Sequence, residues 1–374
     1  MLTVGFDIRP ALFDYAGIGR YVRELGTALT KLPESEGPFL EMFAPSWRGG
    51  RQIPPGLNPM RHNMNRGFLP GRVMEHLNKL PGLDAARFPA KVDLFHWTDY
   101  IYPHVRNCAK VMTLHDAAFV SDPTFHGWDT AVLLDRVRRA LGEADRIIVV
   151  SEPGRYDAEV LGAPAEKVMV VPHGVSPYFR PAERELTESG YLLTVGTLEP
   201  RKNYMRTLRA MEKLWDKDAA PDWIIIGRIG WDHEKFLSAI SSSRHHKRIR
   251  LVQSITDTEL LRYYQGAIAL LFPSLHEGFG LVVLEAMACG TPAIVGDQTA
   301  PSWVAGHSGL RVDPKDIDAI ADGIERMVSE KAWRTQAAAV GLKRARNFTW
   351  ENAATQTVEV YQAAMAAYQQ TAKV

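Results

Sequence analysis

The residues best suited to chemistry lie in one run, His276-Glu277-Gly278-Phe279-Gly280-Leu281-Val282-Val283-Leu284-Glu285-Ala286-Met287-Ala288-Cys289-Gly290-Thr291-Pro292. Two glutamates with seven residues between them bracket a glycine pair, and an apolar stretch, Ala267 to Phe272, precedes them. The pattern predicts a strand, a Gly-rich turn and a helix, with Glu277 in the turn and Glu285 about two turns into the helix. Backbone N–H groups at about Gly280 to Val282 then point away from the helix start, where the helix dipole favours an anion. Ionised carboxylates accept hydroxyl protons, so two of them beside an anion site suit a polyhydroxylated phosphate ester.

A second run, Val195-Gly196-Thr197-Leu198-Glu199-Pro200-Arg201-Lys202-Asn203, reads as a strand end, a turn and a helix start. Ligands of open α/β sheets lie at the carboxyl ends of strands, which places Arg201 and Lys202 to meet one. A guanidinium clamps phosphate in a bidentate manner and an ammonium supplies a mobile point charge. Together they could neutralise a diphosphate leaving group without a metal; a solvated basic helix start is the plain alternative. Gly17-Ile18-Gly19-Arg20-Tyr21 follows the first strand and opens a helix, with glycines that let backbone approach a phosphate or sugar closely. An ordinary turn fits that stretch about as well. Thr113-Leu114-His115-Asp116 ends another strand, where His115 can reach a ligand and Asp116 can orient it or cap the next turn. Softer signals for a nucleotide base come from Gly227-Arg228-Ile229-Gly230-Trp231 and from Val252 to Ile255.

Other chemistries find less support. An NAD fingerprint needs a third glycine and an acidic residue closing the next strand, and neither is evident. Asp216-Lys217-Asp218 and Asp316-Ile317-Asp318 have the DxD form of metal-dependent transferases, but the first falls in a polar loop and the second opens a helix. His245-His246 lies in a basic surface run, and no metal is expected. The two cysteines, Cys108 and Cys289, are far apart, which disfavours a disulfide scaffold or a Cys-based zinc site and fits a reducing compartment. A net charge of +1 over 374 residues argues against a nucleic-acid partner.

The elements that must position these residues alternate short apolar strands with amphipathic helices, an α/β pattern with parallel sheets. Strands are expected at Thr3 to Phe6, Leu94 to Trp97, Lys110 to Leu114 and Arg146 to Val150. A second set is expected at Tyr191 to Val195, Trp223 to Ile226, Ile249 to Val252, Ala267 to Phe272 and Ala293 to Val295. The Pro- and Gly-rich stretch from Pro172 to Pro181 reads as a linker between two doubly wound domains. From Thr349, an N-cap residue, Ala354, Val358, Tyr361, Met365 and Tyr368 recur at helical spacing.

The glutamate run resembles the EX7E element of retaining GT-B glycosyltransferases, the large group 1, GT4-type family. The likeness extends over nearly the whole chain and is greatest from Val168 to Pro292. It implies two Rossmann-like domains facing across a cleft, residues 1–178 receiving the acceptor and 186–348 binding the sugar nucleotide, with a helix over 349–374 crossing back onto the first. It implies Glu277 on the donor sugar's hydroxyls, Glu285 on the ribose, Arg201 and Lys202 on the diphosphate, and His115 near the donor sugar. Further donor contacts are implied for Gly17, Gly19, Gly196, Gly227, Arg228, Gly278, Phe279, Gly280, Leu281 and Val282. Thr197 departs from the pattern, since many relatives carry arginine directly after the Val-Gly, and this puts one phosphate contact in question. The Gly-Ile-Gly-Arg-Tyr, His-Asp and Thr-Leu-Glu-Pro-Arg-Lys-Asn strings are similar to bacterial mannosyltransferase-type members. The implied reaction is transfer of a hexose with retention, mannose from GDP-mannose before UDP- or dTDP-sugars (glucosyl or rhamnosyl transfer), onto a saccharide acceptor, lipid-linked, in surface polysaccharide synthesis. No cofactor beyond the sugar nucleotide substrate is expected. An NAD-dependent oxidoreductase and a non-catalytic sugar-binding protein are the alternatives of other classes.

The stretch from Pro45 to Met74 has no acidic residue but carries Arg48, Arg51, Arg61, Arg66 and Arg72 among Trp47, Phe68 and Leu69. A basic-aromatic loop of this kind suits a phosphorylated acceptor or an anionic membrane surface, where each basic residue is worth roughly 1 kcal/mol; a solvated loop is the plain alternative. The N-terminus enters a strand with no signal-peptide profile, and no apolar run approaches bilayer length. A cytoplasmic protein is expected, with peripheral attachment to the inner face of the membrane left open.

Overall fold

The computed structural model describes residues 1–13, 17–44, 56–65, 91–125, 129–183 and 190–371. The chain forms two compact units: one of Met1–Ala117, Trp128–Gly174 and Thr349–Val374, the other of Ala118–Gly127 and Val175–Phe348. Residues 118–127 and 175–178, placed with the first domain from sequence, thus group with the second unit. Among the described residues no helix is long and apolar enough to cross a membrane.

In the first unit β1 (Thr3–Asp7), β2 (Phe39–Phe43), β3 (His62–Asn65), β4 (Leu94–Trp97), β5 (Ala109–Leu114), β6 (Arg146–Val149) and β7 (Val168–Val170) form one sheet ordered β3-β2-β1-β4-β5-β6-β7. In the second, β8 (Tyr191–Val195), β9 (Trp223–Ile226), β10 (Ile249–Val252), β11 (Ala267–Phe272), β12 (Ala293–Gly296) and β13 (Gly309–Val312) are ordered β10-β9-β8-β11-β12-β13. Every pairing in both sheets is parallel. Buried on both faces, such strands read as unbroken apolar runs, as Trp223-Ile224-Ile225-Ile226 does. Each sheet reverses its order beside its first strand, between β1 and β4 and between β8 and β11. A crevice opens there, outside the carboxyl ends of the strands.

Strands β2, β3, β7 and β13 were not expected from sequence. Strand β2 carries Glu41 at its centre, which breaks the apolar run; in the fold that carboxylate is buried and accepts a hydrogen bond from Asn63 Nδ2 at 2.9 Å. Strand β3, His-Asn-Met-Asn, has no apolar signature at all.

The core of the second unit joins helix Tyr204–Trp215 to helices Glu234–Ser242 and Ile317–Ser329 through Leu208, Met211, Phe236, Ile320 and Ile324, over Trp223, Ile225 and Leu271 of the sheet. Helix Leu281–Ala288 packs instead against helices Ala300–Ala305 and Lys331–Ala345. In the first unit helix Trp350–Thr371, capped by Thr349 Oγ1 accepting from Asn352 N at 3.1 Å, packs on helix Ile18–Lys31 and on β5 and β6. A Cβ on Gly174 would fall 2.2 Å from Trp350 N, so glycine is required where the chain meets that helix.

The basic segment needs one correction. Arg61 is buried rather than displayed: it is 6% exposed and donates from Nη2 to Pro38 O at 3.1 Å, so it belongs to the anchoring of β3 beside β2. Arg48, Arg51, Arg66 and Arg72, with Trp47, Phe68 and Leu69, lie outside the described residues.

Candidate active site

At the switch point of the second sheet, the segments leaving β8 and β11 bring three of the sequence-identified residues together. Arg201 Nη1 and Lys202 Nζ each reach the Glu277 carboxylate at 2.6 Å, one on each oxygen. Arg201 Nε also forms an ion pair with Glu199 Oε1 at 2.6 Å, and its Nη1 donates to the His276 carbonyl at 3.3 Å. Lys202 lies over the Phe272 ring, 4.7 Å from its centroid. Two cations and two carboxylates are therefore locked in one nearly dry cluster with no net formal charge.

The local sequence explains the geometry. Pro200 starts a short 3-10 turn that carries Arg201 and Lys202, and Asn203 ends it in the left-handed conformation at φ 63°, which asparagine tolerates. The Asn203 amide donates to Pro273 O at 2.9 Å and Pro314 O at 2.6 Å, fastening the turn to the segments after β11 and β13. Leu275 N donates to Arg201 O at 2.8 Å and completes the attachment. Gly196, at φ 156°, leaves room for Lys202, whose Cε would lie 3.3 Å from an added Cβ. A Cβ on Gly227 would fall 1.8 Å from Gly196 O, so that glycine serves the close approach of two strand ends.

Charge and burial set the protonation states. Burial would raise the Glu277 carboxyl, but the charges of Arg201 and Lys202 outweigh it and hold it at about 2. Lys202 is lowered, because burial and the neighbouring Arg201 outweigh its attraction to Glu277. The cluster is thus an ionised carboxylate with two preorganised cations, one of them a weakened ammonium.

Beyond Glu277 the chain turns at Gly280, at φ 110°, with an added Cβ only 3.2 Å from Pro301 Cα, and enters the helix from Leu281. No side chain caps that helix; Leu281 and Val282 are half-buried at its start. Gly278 is buried, and Phe279 is 5% exposed with its ring edge-on to Trp303 and Phe348 at 6.3 and 6.1 Å. Glu285 is 4% exposed and accepts from Tyr264 Oη at 2.9 Å. Arg228 is exposed, with its backbone carbonyl accepting from Leu198 N.

His115, Gly17 and Gly19 belong to the first unit. Gly17 precedes helix Ile18–Lys31 at φ 51°, and Gly19 is buried in its first turn. His115 is buried and donates from Nε2 to Thr98 O at 2.9 Å, which leaves Nδ1 as the acceptor of a neutral ring; burial holds its pKa below the ordinary value. Its ring meets Tyr21 edge-on at 5.0 Å. Tyr21 begins a buried chain of hydrogen bonds: Tyr21 Oη to Thr113 Oγ1, Thr113 Oγ1 to His96 Nε2, and His96 Nδ1 to Tyr361 Oη, each 2.8 Å. Burial, with His115 adding, lowers His96 to about 3, so it stays neutral.

The DxD strings have other employment. Asp216 pairs with Arg244 and His245, Asp218 with Arg248 and Asp318 with Lys213, while Asp316 caps its helix. Among the described residues no group of three or more His, Cys, Asp or Glu is arranged to hold a metal ion. Sequence reading overlooked the counter-ion role of Glu199 and the His96 chain. Glu199 lay inside a quoted motif, but nothing in the string says that its carboxylate turns back on Arg201.

Comparison with known proteins gives a consistent picture. Residues 177–344 match the family model "Glycosyl transferases group 1", and residues 15–179 match "Glycosyltransferase Family 4". The chain is 29% identical to the O-antigen chain mannosyltransferase B of Escherichia coli, over 96% of this chain and 99% of that one. It is 27% identical to the D-inositol 3-phosphate glycosyltransferase of Streptosporangium roseum, over 96% and 91%. Among solved structures, sucrose-phosphate synthase from Thermosynechococcus elongatus superimposes with a TM-score of 0.77 at 21% identity, covering 98% of this chain and all of that one. Anabaena HepE in complex with UDP-glucose does so with a TM-score of 0.69 at 14% identity, covering 96% and 99%.

Proposed function

The chain belongs to the group 1 glycosyltransferases, enzymes of GT-B fold, and from that premise we propose that it transfers mannose from GDP-mannose with retention of configuration. The acceptor in this reading is a saccharide, lipid-linked, in the synthesis of a surface polysaccharide. The mannosyltransferase of Escherichia coli, alike over almost the full length of both chains, supports this donor before the others. UDP- and dTDP-sugars are the competing donors.

One observation carries the reading: Arg201 and Lys202 converge on Glu277 at the switch point of the second sheet. A departing nucleoside diphosphate concentrates negative charge, and preorganised cations in a dry site stabilise it as it forms. As the bond from the sugar's anomeric carbon to the diphosphate oxygen breaks, its electron pair stays with that oxygen. The acceptor hydroxyl attacks the same face of the sugar, and its proton passes to the leaving diphosphate. Arg201, Lys202 and the backbone at the start of helix Leu281–Ala288 stabilise the charge. Glu277, held ionised, accepts hydroxyl protons of the donor sugar, and Glu285 is assigned to the ribose. The same reading gives His115 a donor-sugar contact and requires neither nucleophile, metal nor further cofactor. It places the protein in the cytoplasm.

A thermal-shift competition among GDP-, UDP- and dTDP-sugars tests the donor. At a hundredfold excess over its dissociation constant the right ligand stabilises by about 2.7 kcal/mol. Stabilisation by a UDP- or dTDP-sugar with no response to GDP-mannose would overturn the donor assignment.

A further inference from the structure

The second unit holds a cavity of about 600 Å³ that the donor chemistry does not use. It is lined by the turn after β8, the start of helix Glu234–Ser242, the segment from Ser121 to Phe125, and Leu275, His276 and Lys315. Arg201, Lys202 and Glu277 do not line it, although their neighbours Glu199, Pro200 and His276 do. The two sites thus lie on either side of one short turn.

The lining mixes groups that a carbohydrate could use. Phe125 supplies an aromatic wall, while Tyr204 and Phe236, each 4% exposed with their rings packed at 5.1 Å, form the floor as part of the core. Carboxylates come from Asp122, Glu199 and Asp232, and cations from Arg206, Lys235 and Lys315, three of each. Equal numbers of opposite charges give no net sign with which to select an anion, while donors and acceptors side by side suit hydroxyls, which do both. The volume falls within the ordinary range of small-molecule pockets. The segment from Ser121 to Phe125 is held by Trp231, whose Nε1 donates to Thr124 O at 3.1 Å, so the wall is attached to the loop that follows β9.

We propose that this cavity is a saccharide-binding subsite that holds the acceptor's existing sugar chain, an assignment that rests on the transferase reading above. Glu199 gives it a physical link to the donor side, because this residue borders the cavity while its buried carboxylate pairs with Arg201. Saccharide and nucleoside diphosphate then affect each other's binding reciprocally.

The test is binding of α-linked mannotriose to the full-length protein, followed by saturation-transfer NMR, with GDP binding measured in parallel by calorimetry. Met205, 38% exposed at the rim, is changed to tryptophan to fill the cavity, and Phe125→Ala removes an aromatic wall without adding bulk. Both substitutions are expected to weaken mannotriose by about tenfold or more and to leave GDP affinity unchanged. Absence of mannotriose binding, equal binding in both variants, or displacement of mannotriose by inorganic phosphate overturns the subsite. Parallel loss of GDP in both variants assigns the cavity to the donor and overturns it as well. If GDP-mannose proves not to be a substrate while mannotriose still binds and both variants weaken it, the donor reading fails and the saccharide subsite stands.

Discussion

Glu277 gives one carboxylate oxygen to the Arg201 guanidinium and the other to the Lys202 ammonium, both at 2.6 Å. The carboxylate assigned to the donor sugar thus neutralises the cations assigned to its diphosphate. A diphosphate must compete with Glu277 for them. Glu277→Gln should therefore retain or strengthen binding of GDP while transfer falls by about 100- to 1000-fold. Calorimetry and a transfer assay separate the two effects; a parallel loss of both would end this division of roles.

Removing either cation should act mainly on kcat. Arg201→Ala and Lys202→Ala are each expected to slow transfer by about 100- to 1000-fold, with activity persisting in excess EDTA. Arg201→Ala removes a partner from both Glu199 and Glu277, whereas Lys202→Ala removes one from Glu277 alone, so the former should lower the melting temperature more. Activity abolished by EDTA and restored by magnesium would contradict the metal-free reading.

The low pKa of Glu277 has a consequence for stability. Its folded value, about 2, lies below its ordinary 4.5, so the unfolded chain takes up a proton first as the pH falls. The stabilisation is complete above about pH 4.5, declines through the window below it and is gone below about pH 2. Denaturant unfolding of the native protein and Glu277→Gln should show a gap that narrows as the pH drops from 5 to 3. A gap independent of pH would mean that the carboxylate is not held ionised by its neighbours.

Tyr361→Phe should destabilise the first unit. It deprives the buried His96 Nδ1 of its partner at 2.8 Å, and an unsatisfied buried polar group costs about 1–3 kcal/mol. Thermal unfolding should register the loss while GDP affinity stays the same, since the chain of hydrogen bonds lies wholly in the first unit. An unaltered melting temperature would show that His96 finds another partner.

Membrane attachment can be tested without Arg61, whose burial removes it from any such role. Changing Arg48, Arg51, Arg66 and Arg72 together to serine should weaken binding to anionic liposomes at low salt, by roughly 1 kcal/mol per residue, and spare donor hydrolysis. Unchanged liposome binding would make the segment an ordinary solvated loop.

Much of the fold was legible because parallel strands buried on both faces are written as apolar runs, as in Ala267 to Phe272. The strands that escaped are those where the code is broken: Glu41 in the middle of β2, or four residues of largely polar β3. The site followed the same rule. Arg201, Lys202 and Glu277 stand out as charges in Gly-rich turns at strand ends, a local property of the string. The chain from Tyr21 through Thr113 and His96 to Tyr361 joins residues as far as 265 positions apart, and no local pattern announces it. Nor does the string show that the Phe279 ring turns into the core, edge-on to Trp303 and Phe348, so that only its backbone remains for the expected donor contact.

The helix from Trp350 to Thr371 closes the unit that the first residues of the chain begin. During synthesis, the second unit has all of its sequence once Phe348 has emerged. The first must wait, with His96 lacking its hydroxyl partner and the face of helix Ile18–Lys31 uncovered, until the residues around Tyr361 leave the ribosome. Of the two units, the one begun first is therefore the last able to finish folding. A nascent chain stalled before Thr349 would leave that apolar face open to aggregation or to chaperones until the helix arrives.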